Sequence, residues 1–198
     1  KKGFEIAANQ LQYRKPGKID PRASSIALQK TKLVVKDNAD KIIIKGSDFS
    51  VLFSKKPDGG LTSYTYKGQK QIRQTLLPHF TRPLTDNDKR GWKPQRNLKQ
   101  WYNNDIQLVS ATVLDQPLPH YSGRSIVCEY KLINDSARVF VRYFINDNGI
   151  IHVYFGMSLK PGLPNIPKVG MQMGIEGSYD NIEWFGKGPM ENYIDKNY

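Results

Sequence analysis

Apolar side chains in this chain recur at every second position or in short runs that polar segments interrupt. This alternation predicts half-buried β-strands, and the segments are rich in Val, Ile, Tyr and Phe, which favour strands. We predict strands at Lys32–Val35, Lys41–Lys45, Phe49–Phe53, Leu61–Tyr66, Ile106–Leu114, Ile126–Ile133, Arg138–Ile145, Ile150–Leu159 and Val169–Ile175. The breaks carry turn residues, as in Asp37–Asp40, Pro57–Gly60 and Asn146–Gly149. Strands joined by short turns indicate antiparallel hairpins and an all-β sandwich.

One segment has helical spacing. Leu98, Trp101 and Tyr102 lie at positions i, i+3 and i+4 between Pro94 and Asn104, which predicts one short surface helix. On such a helix, packing of Trp101 against the sheet is favoured over contact with a ligand.

Composition and charge narrow the class of protein. The 198 residues are 38% hydrophobic and 24% charged, which is typical of a globular chain with one well-buried domain and room for part of a second. The net charge is +12, but the 30 Lys and Arg residues are spread along the chain, so we predict a solvated basic surface and no nucleic-acid partner. No run of eighteen apolar residues occurs, and no membrane span is predicted.

Cysteine usage removes two further classes of site. Cys128 is the single cysteine, which excludes an internal disulfide and a zinc site built from cysteines. It lies in the apolar run Ser125–Tyr130, so we predict a buried, unreactive thiol.

The segment Phe80–Trp92 is too polar and too rich in turn residues to be a core strand. Its Asp86-Asn87-Asp88 triplet does not fit an EF-hand, because Arg90 and Asn97 stand where that loop needs an oxygen ligand and a glutamate. The triplet favours equally a structural Asx turn and contact with a sugar or metal. Arg82 could pair with Asp86 or Asp88 and brace the loop.

The late segment Trp184–Tyr193 contains Gly-x-Gly but lacks the third glycine and the helix of a dinucleotide site. We predict a strand followed by a tight turn that brings Glu191, Asn192 and Tyr193 together. A retaining glycosidase needs two carboxyl groups about 5 Å apart. The late candidates are Glu176, Glu183 and Glu191, but the sequence does not identify an acid/base pair among them.

The histidines do not have the spacing of metal ligands within one element. They are His79, His120 and His152, and none has a nucleophile recognisable beside it. His152 alternates with apolar neighbours and is predicted to point outward.

Stretches in three parts of the chain resemble glycoside hydrolase family 2 β-galactosidases. The first is Lys2–Leu11 and the second is the loop Phe80–Gly91. The third, late in the chain, consists of the two segments Asn165–Gln172 and Glu183–Tyr193. The resemblance implies that residues 1–15 are the terminal strand of a preceding immunoglobulin-like domain and that residues 16–29 are a linker. Residues 30–198 would be the N-terminal part of an antiparallel β-supersandwich, similar to galactose mutarotase in fold.

The resemblance also implies a function. The full-length enzyme would hydrolyse terminal β-galactosides with retention, using glutamates in a TIM-barrel domain that this chain lacks. This fragment would be inactive, with no catalytic residue, metal or cofactor of its own. Its partners would be its own barrel domain and, through the whole enzyme, a β-galactoside carbohydrate. The family pattern allows a monovalent or divalent cation in the barrel and a homo-oligomeric enzyme, and no membrane partner is expected.

The same resemblance assigns a substrate-site loop. Its matching residues are Arg82, Asp86, Asn87, Asp88 and Gly91. This chain departs from the pattern there, with two residues, Lys89 and Arg90, before the glycine where one is usual. Lys168 also stands where the family has arginine, which loses bidentate pairing.

Two other functions stay open at this point. A stand-alone carbohydrate-binding sandwich would expose Trp92, Trp101 and Trp184 as a stacking platform. An aldose-epimerase-like domain would need a placed histidine base and a glutamate partner.

Overall fold

The computed structural model describes residues 33–103, 105–114 and 122–181. The chain divides into two compact units, Leu28–Gly177 and a second unit of Lys1–Ala27 with Ser178–Tyr198. The strands and helices that the structure describes belong to the first unit. The predicted strand and linker of residues 1–29 and the segment Trp184–Tyr193 lie outside the described residues, so those assignments stay predictions.

Strands dominate the described part of the chain. Its strands are β1 (Val34–Asp37), β2 (Lys41–Lys45), β3 (Phe49–Ser54), β4 (Gly60–Tyr66), β5 (Gln69–Lys70), β6 (Ile72–His79), β7 (Gln107–Leu114), β8 (Gly123–Leu132), β9 (Ala137–Asn146), β10 (Ile151–Leu159) and β11 (Gly170–Ile175). Its helices are α1 (Asp86–Arg90), α2 (Pro94–Asn97) and α3 (Lys99–Tyr102). Among the described residues, no helix has the length and apolar character needed to cross a membrane.

The strands form two antiparallel sheets. The first has the order β1-β2-β3-β4-β6-β11, with β5 paired to β4, and the second has the order β10-β9-β8-β7. Neighbours in sequence are mostly neighbours in space, as expected for hairpins with short turns. In the second sheet the register is regular through β8 and β9, from Gly123 opposite Asn146 to Leu132 opposite Ala137.

The two sheets face each other across one hydrophobic core. Alternate residues are buried on β3 (Phe49, Val51, Phe53) and on β9 (Val139, Val141, Tyr143). The rings of Phe53 and Tyr143 meet edge to face at 5.1 Å between centroids, which joins the two layers. This arrangement confirms the predicted all-β sandwich.

All nine predicted strands are present, with ends that differ by a few residues, and two further strands were missed. β5 has only two residues, and β6 contains Pro78 and several polar residues, so neither has a strand pattern. β6 is registered with β4 at Leu61 opposite Leu76, and Pro78 lies two residues beyond that pair, opposite Met171 of β11. A residue without an N–H is tolerated there because it lies outside the registered pairing with β4. Pairing with strands distant in sequence therefore makes β6 a strand.

The predicted single helix is two short helices that meet at Leu98. A further helix, α1, lies inside the polar loop, where no helix was predicted. Trp101 on α3 is fully buried, and its Nε1 donates to the Pro164 carbonyl at 2.9 Å. The prediction that Trp101 is a packing anchor is confirmed.

Two other predictions about single residues are confirmed. Cys128 is fully buried in β8, and burial raises the pKa of its thiol to about 12, so the thiolate is scarce at neutral pH. His152 is exposed on β10, with its ring 6.1 Å from that of Phe144.

Candidate functional site

The polar loop begins where β6 ends, and a buried aromatic residue fixes its first position. Phe80 is almost fully buried, and its ring lies 5.4 Å from that of Trp101 and 6.3 Å from that of Phe155. The chain therefore leaves the sandwich at a defined point, and the residues after Phe80 start from a packed base.

Arg82 and Asp88 close the loop through a bidentate ion pair. Arg82 Nη1 donates to Asp88 Oδ2 at 2.6 Å, and Nη2 donates to Oδ1 at 2.9 Å. Planar two-point pairing of this kind restricts orientation as well as distance. The hydroxyl of Tyr102 donates to the Arg82 carbonyl at 3.3 Å, which connects the pair to α3.

Thr85 and Asp88 start α1 with a capping box. The Thr85 Oγ1 accepts from the Asp88 N–H at 3.2 Å, and the Asp88 carboxylate accepts from the Thr85 N–H at 2.9 Å. The Arg82 guanidinium, followed by the bonds from Thr85, lowers the pKa of Asp88 to about 2. Asp88 is thus ionised at neutral pH and serves both the ion pair and the cap.

Gly91 ends α1 next to the carbonyl of Asn87. Its N–H donates to the Asn87 carbonyl at 2.8 Å, and a Cβ at this position would lie 2.9 Å from the same oxygen. Gly91 has a φ of −92°, so its lack of a side chain matters here for space.

Two of the five predicted loop residues are brought together and three are placed around them. Arg82 and Asp88 form the brace, Gly91 closes the turn, and Asp86 and Asn87 are exposed on α1. Of the two pairings considered for Arg82, the structure selects Asp88. Asp86 lies instead 3.6 Å from Lys89 with 81% of its side chain exposed. Contact of these residues with a sugar stays a prediction.

Thr85 and Tyr102 were missed as residues that shape this loop. Thr85 had a readable signal, because a threonine three positions before an acidic residue is the capping-box pattern. Tyr102 had no local signal, since its contact with Arg82 joins residues from different elements.

The late carboxylate candidates are placed only in part. Glu176 accepts from Arg73 Nε at 2.6 Å on the neighbouring strand, so it is engaged in an ion pair. Glu183 and Glu191 lie outside the described residues. Within the described ranges, no group of three or more His, Cys, Asp or Glu side chains has the arrangement of a metal site.

His79, directly before the loop, is partly buried. Its Nε2 lies 3.4 Å from the Thr81 hydroxyl. Burial lowers the pKa of His79, and the charge of Lys168 lowers it further, which favours the neutral imidazole. The second described histidine, His152, lies apart on β10.

Comparison with known proteins identifies the family to which this sandwich and loop belong. Residues 45–198 match the family model described as beta galactosidase small chain. The chain belongs to the β-galactosidase small-chain family. The matched range contains the sandwich from the end of β2 onward and the entire Arg82–Gly91 loop. The suspected resemblance is thereby confirmed at the level of the family.

Curated relatives of this small-chain domain are named beta-galactosidase. The chain is 33% identical to one from Halalkalibacterium halodurans, 30% identical to one from Clostridium acetobutylicum and 27% identical to one from Priestia megaterium. Each match covers 98% of this chain but only 18–21% of the relative. The chain thus spans about a fifth of the length of the relatives it matches.

Proposed function

We propose that this chain is a non-catalytic part of a retaining β-galactosidase that hydrolyses terminal β-galactosides. The observation that carries this proposal is the match of residues 45–198 to the β-galactosidase small-chain family. The relatives named beta-galactosidase are about five times longer than the matched segment, which leaves room for a separate catalytic domain. That domain would be a TIM barrel, which would hold the catalytic glutamates and any cation.

Within that enzyme, the Arg82–Gly91 loop would border the sugar site. The Arg82–Asp88 pair and the capping box hold its backbone, while Asp86 and Asn87 are exposed and carry groups suited to sugar hydroxyls. A loop that is ordered before substrate arrives loses less entropy on binding. The sandwich would supply the rigid support, with a fold of the galactose-mutarotase kind.

The described contacts give less support to the two other functions. A platform of three exposed tryptophans requires Trp101, whose side chain is fully buried. An epimerase requires a histidine beside a glutamate, but His79 contacts Thr81, His152 packs near Phe144, and Glu176 pairs with Arg73. Polarimetry on freshly dissolved galactose would test the epimerase, and we expect no acceleration of mutarotation.

The division of labour is tested by comparing this chain with the full-length protein on a chromogenic β-galactoside. We expect hydrolysis by the full-length protein and none by the purified chain, provided that the chain unfolds cooperatively and is therefore folded. Turnover by the purified chain would overturn the proposal, and so would inactivity of the full-length protein.

The contribution of the loop is tested in the full-length protein with Arg82→Met. Loss of the bidentate brace should misplace the loop and lower kcat/KM by about tenfold or more, as small misplacements near a reaction centre do. Arg73→Met is the matched control, because Arg73 also pairs with a carboxylate but is two-thirds exposed on β6. We expect the control to keep nearly wild-type kcat/KM, and equal losses in both variants would contradict a specific role for the loop.

A further inference from the structure

Trp92 is the most exposed large apolar side chain of the described loop. Its relative exposure is 55%, whereas Trp101, nine residues later, is fully buried. Exposing the large apolar surface of an indole to water is unfavourable, and Trp and Tyr are enriched at surfaces that bind a partner. Trp92 is not part of the hydrophobic core, so packing of the sandwich does not explain its presence.

The backbone around Trp92 is held on both sides. The N–H of Lys93 donates to the Asp88 carbonyl at 2.8 Å, and the Asn97 side-chain amide donates to the Trp92 carbonyl at 2.6 Å. Lys93 has a left-handed φ of 53°, which a lysine adopts only at some energetic cost. The indole therefore projects from a backbone that is already held in place. Little backbone conformational freedom is left to lose when the indole binds a ligand.

The Arg82–Asp88 brace also ends at this frame. Asp88 accepts the guanidinium of Arg82 through its side chain and the N–H of Lys93 through its backbone carbonyl. A single residue thus links the two residues of the brace to the position of the exposed indole. This connection makes Trp92 part of the same ordered loop as Asp86 and Asn87.

We propose that Trp92 is an aglycone-binding residue, whose indole stacks on the ring of the leaving group of a β-galactoside. This inference rests on the proposed function, in which the galactosyl unit occupies the catalytic domain and this loop lies at its rim. The part of the substrate that reaches a rim is the leaving group. A flat, exposed aromatic face fits the apolar face of a sugar ring or an aryl ring, and such stacking is tolerant of ring identity.

The experiment uses the full-length protein and two substrates, an aryl β-galactoside and methyl β-galactoside. Trp92→Ala should lower kcat/KM for the aryl substrate by about 3- to 10-fold, as expected for loss of one aromatic stacking contact, and leave the methyl substrate within about twofold. Because the ratio of the two substrates is compared between proteins, their different intrinsic reactivities cancel. Trp92→Phe should keep most of the wild-type ratio.

Tyr154→Ala is the matched control, since Tyr154 is an aromatic residue of similar exposure, 52%, on β10. We expect Tyr154→Ala to leave kcat/KM unchanged for both substrates. An unchanged ratio in Trp92→Ala, or an equal loss on both substrates with a lower Tm, would overturn the inference and indicate a purely structural contact. If the wild-type protein hydrolyses neither substrate, the proposed function is wrong and the inference falls with it.

Discussion

Asp88 shows how one side chain can set the shape of a loop. It pairs with Arg82 through both carboxylate oxygens and caps α1 through Thr85. Asp86, two residues earlier, is mostly exposed, and its Oδ1 lies 3.6 Å from Lys89 Nζ. Two aspartates separated by one residue therefore have different environments, and Asp88 is the one that takes part in both the bidentate pair and the helix cap.

The pKa of Asp88 gives a prediction at the residue scale. Its pKa is lowered from an ordinary value of 3.8 to about 2, so its bonds stabilise the fold above pH 4 and this contribution is lost as the pH falls from about 4 to about 2. Carboxyl NMR titration of Asp88 should show a midpoint near 2. In Arg82→Met the midpoint should rise, because the first cause of the shift is removed. Arg73→Met should leave it unchanged, and a low midpoint that persists in Arg82→Met would contradict this explanation.

At the scale of elements, the first sheet depends on close approach at the start of β4. Gly60 has a φ of +126°, and a Cβ there would lie 2.1 Å from the hydroxyl oxygen of Tyr130 on β8. That hydroxyl lies 3.4 Å from the Gly59 carbonyl. A glycine at this position thus lets a tyrosine of the second sheet reach the backbone of the first.

Replacing Gly60 by alanine should therefore destabilise the sandwich for two reasons. Backbone strain at a sparsely populated positive φ costs about 1–3 kcal/mol, and overpacking against Tyr130 adds about 1–3 kcal/mol. Gly68→Ala is the control, since Gly68 also has a positive φ of 79° but a Cβ there meets nothing within 4 Å. Urea unfolding should show a larger loss of free energy of unfolding for Gly60→Ala. Equal losses would mean that the Tyr130 contact does not matter.

At the scale of the whole molecule, stability comes from two sheets that bury alternate side chains against each other. Phe53 and Tyr143 join the layers at 5.1 Å, and the Tyr64 hydroxyl donates to the Gly149 carbonyl at 3.0 Å. The outward side chains of the same strands contact solvent, as for Phe140 with 40% exposure. Position relative to the other sheet therefore decides the energetic weight of an aromatic residue.

This contrast predicts different effects for two phenylalanine substitutions. Phe53→Ala should lower the free energy of unfolding by about 3–5 kcal/mol, because it leaves a cavity between the sheets. Phe140→Ala, on the outer face of β9, should cost less than about 1 kcal/mol. Chemical unfolding monitored by circular dichroism measures both, and similar losses would show that the layers do not meet at Phe53.

Much of the fold could be predicted because strand alternation is a local property. β2 was predicted with its observed ends, and β3, β9 and β10 with ends within one residue, since each has apolar residues at every second position. β6 could not be predicted, because Pro78 and its polar neighbours form a strand only through pairing with β4 and β11. α1 could have been predicted from the capping-box pattern of Thr85 and Asp88, but the triplet was interpreted only as an Asx turn or as a contact with a sugar or metal.

The sequence by itself determined the strand-rich class, the buried thiol of Cys128 and the position of the polar loop, since alternation, apolar context and motif are all local. Only the tertiary structure decided that Arg82 pairs with Asp88 and not with Asp86, and that β6 is a strand. Asp86 and Asp88 lie two residues apart in the same polar segment, and β6 contains Pro78 and several polar residues. Which carboxylate meets Arg82 and which strands flank β6 depend on how distant parts of the chain are placed, and local patterns do not contain that information.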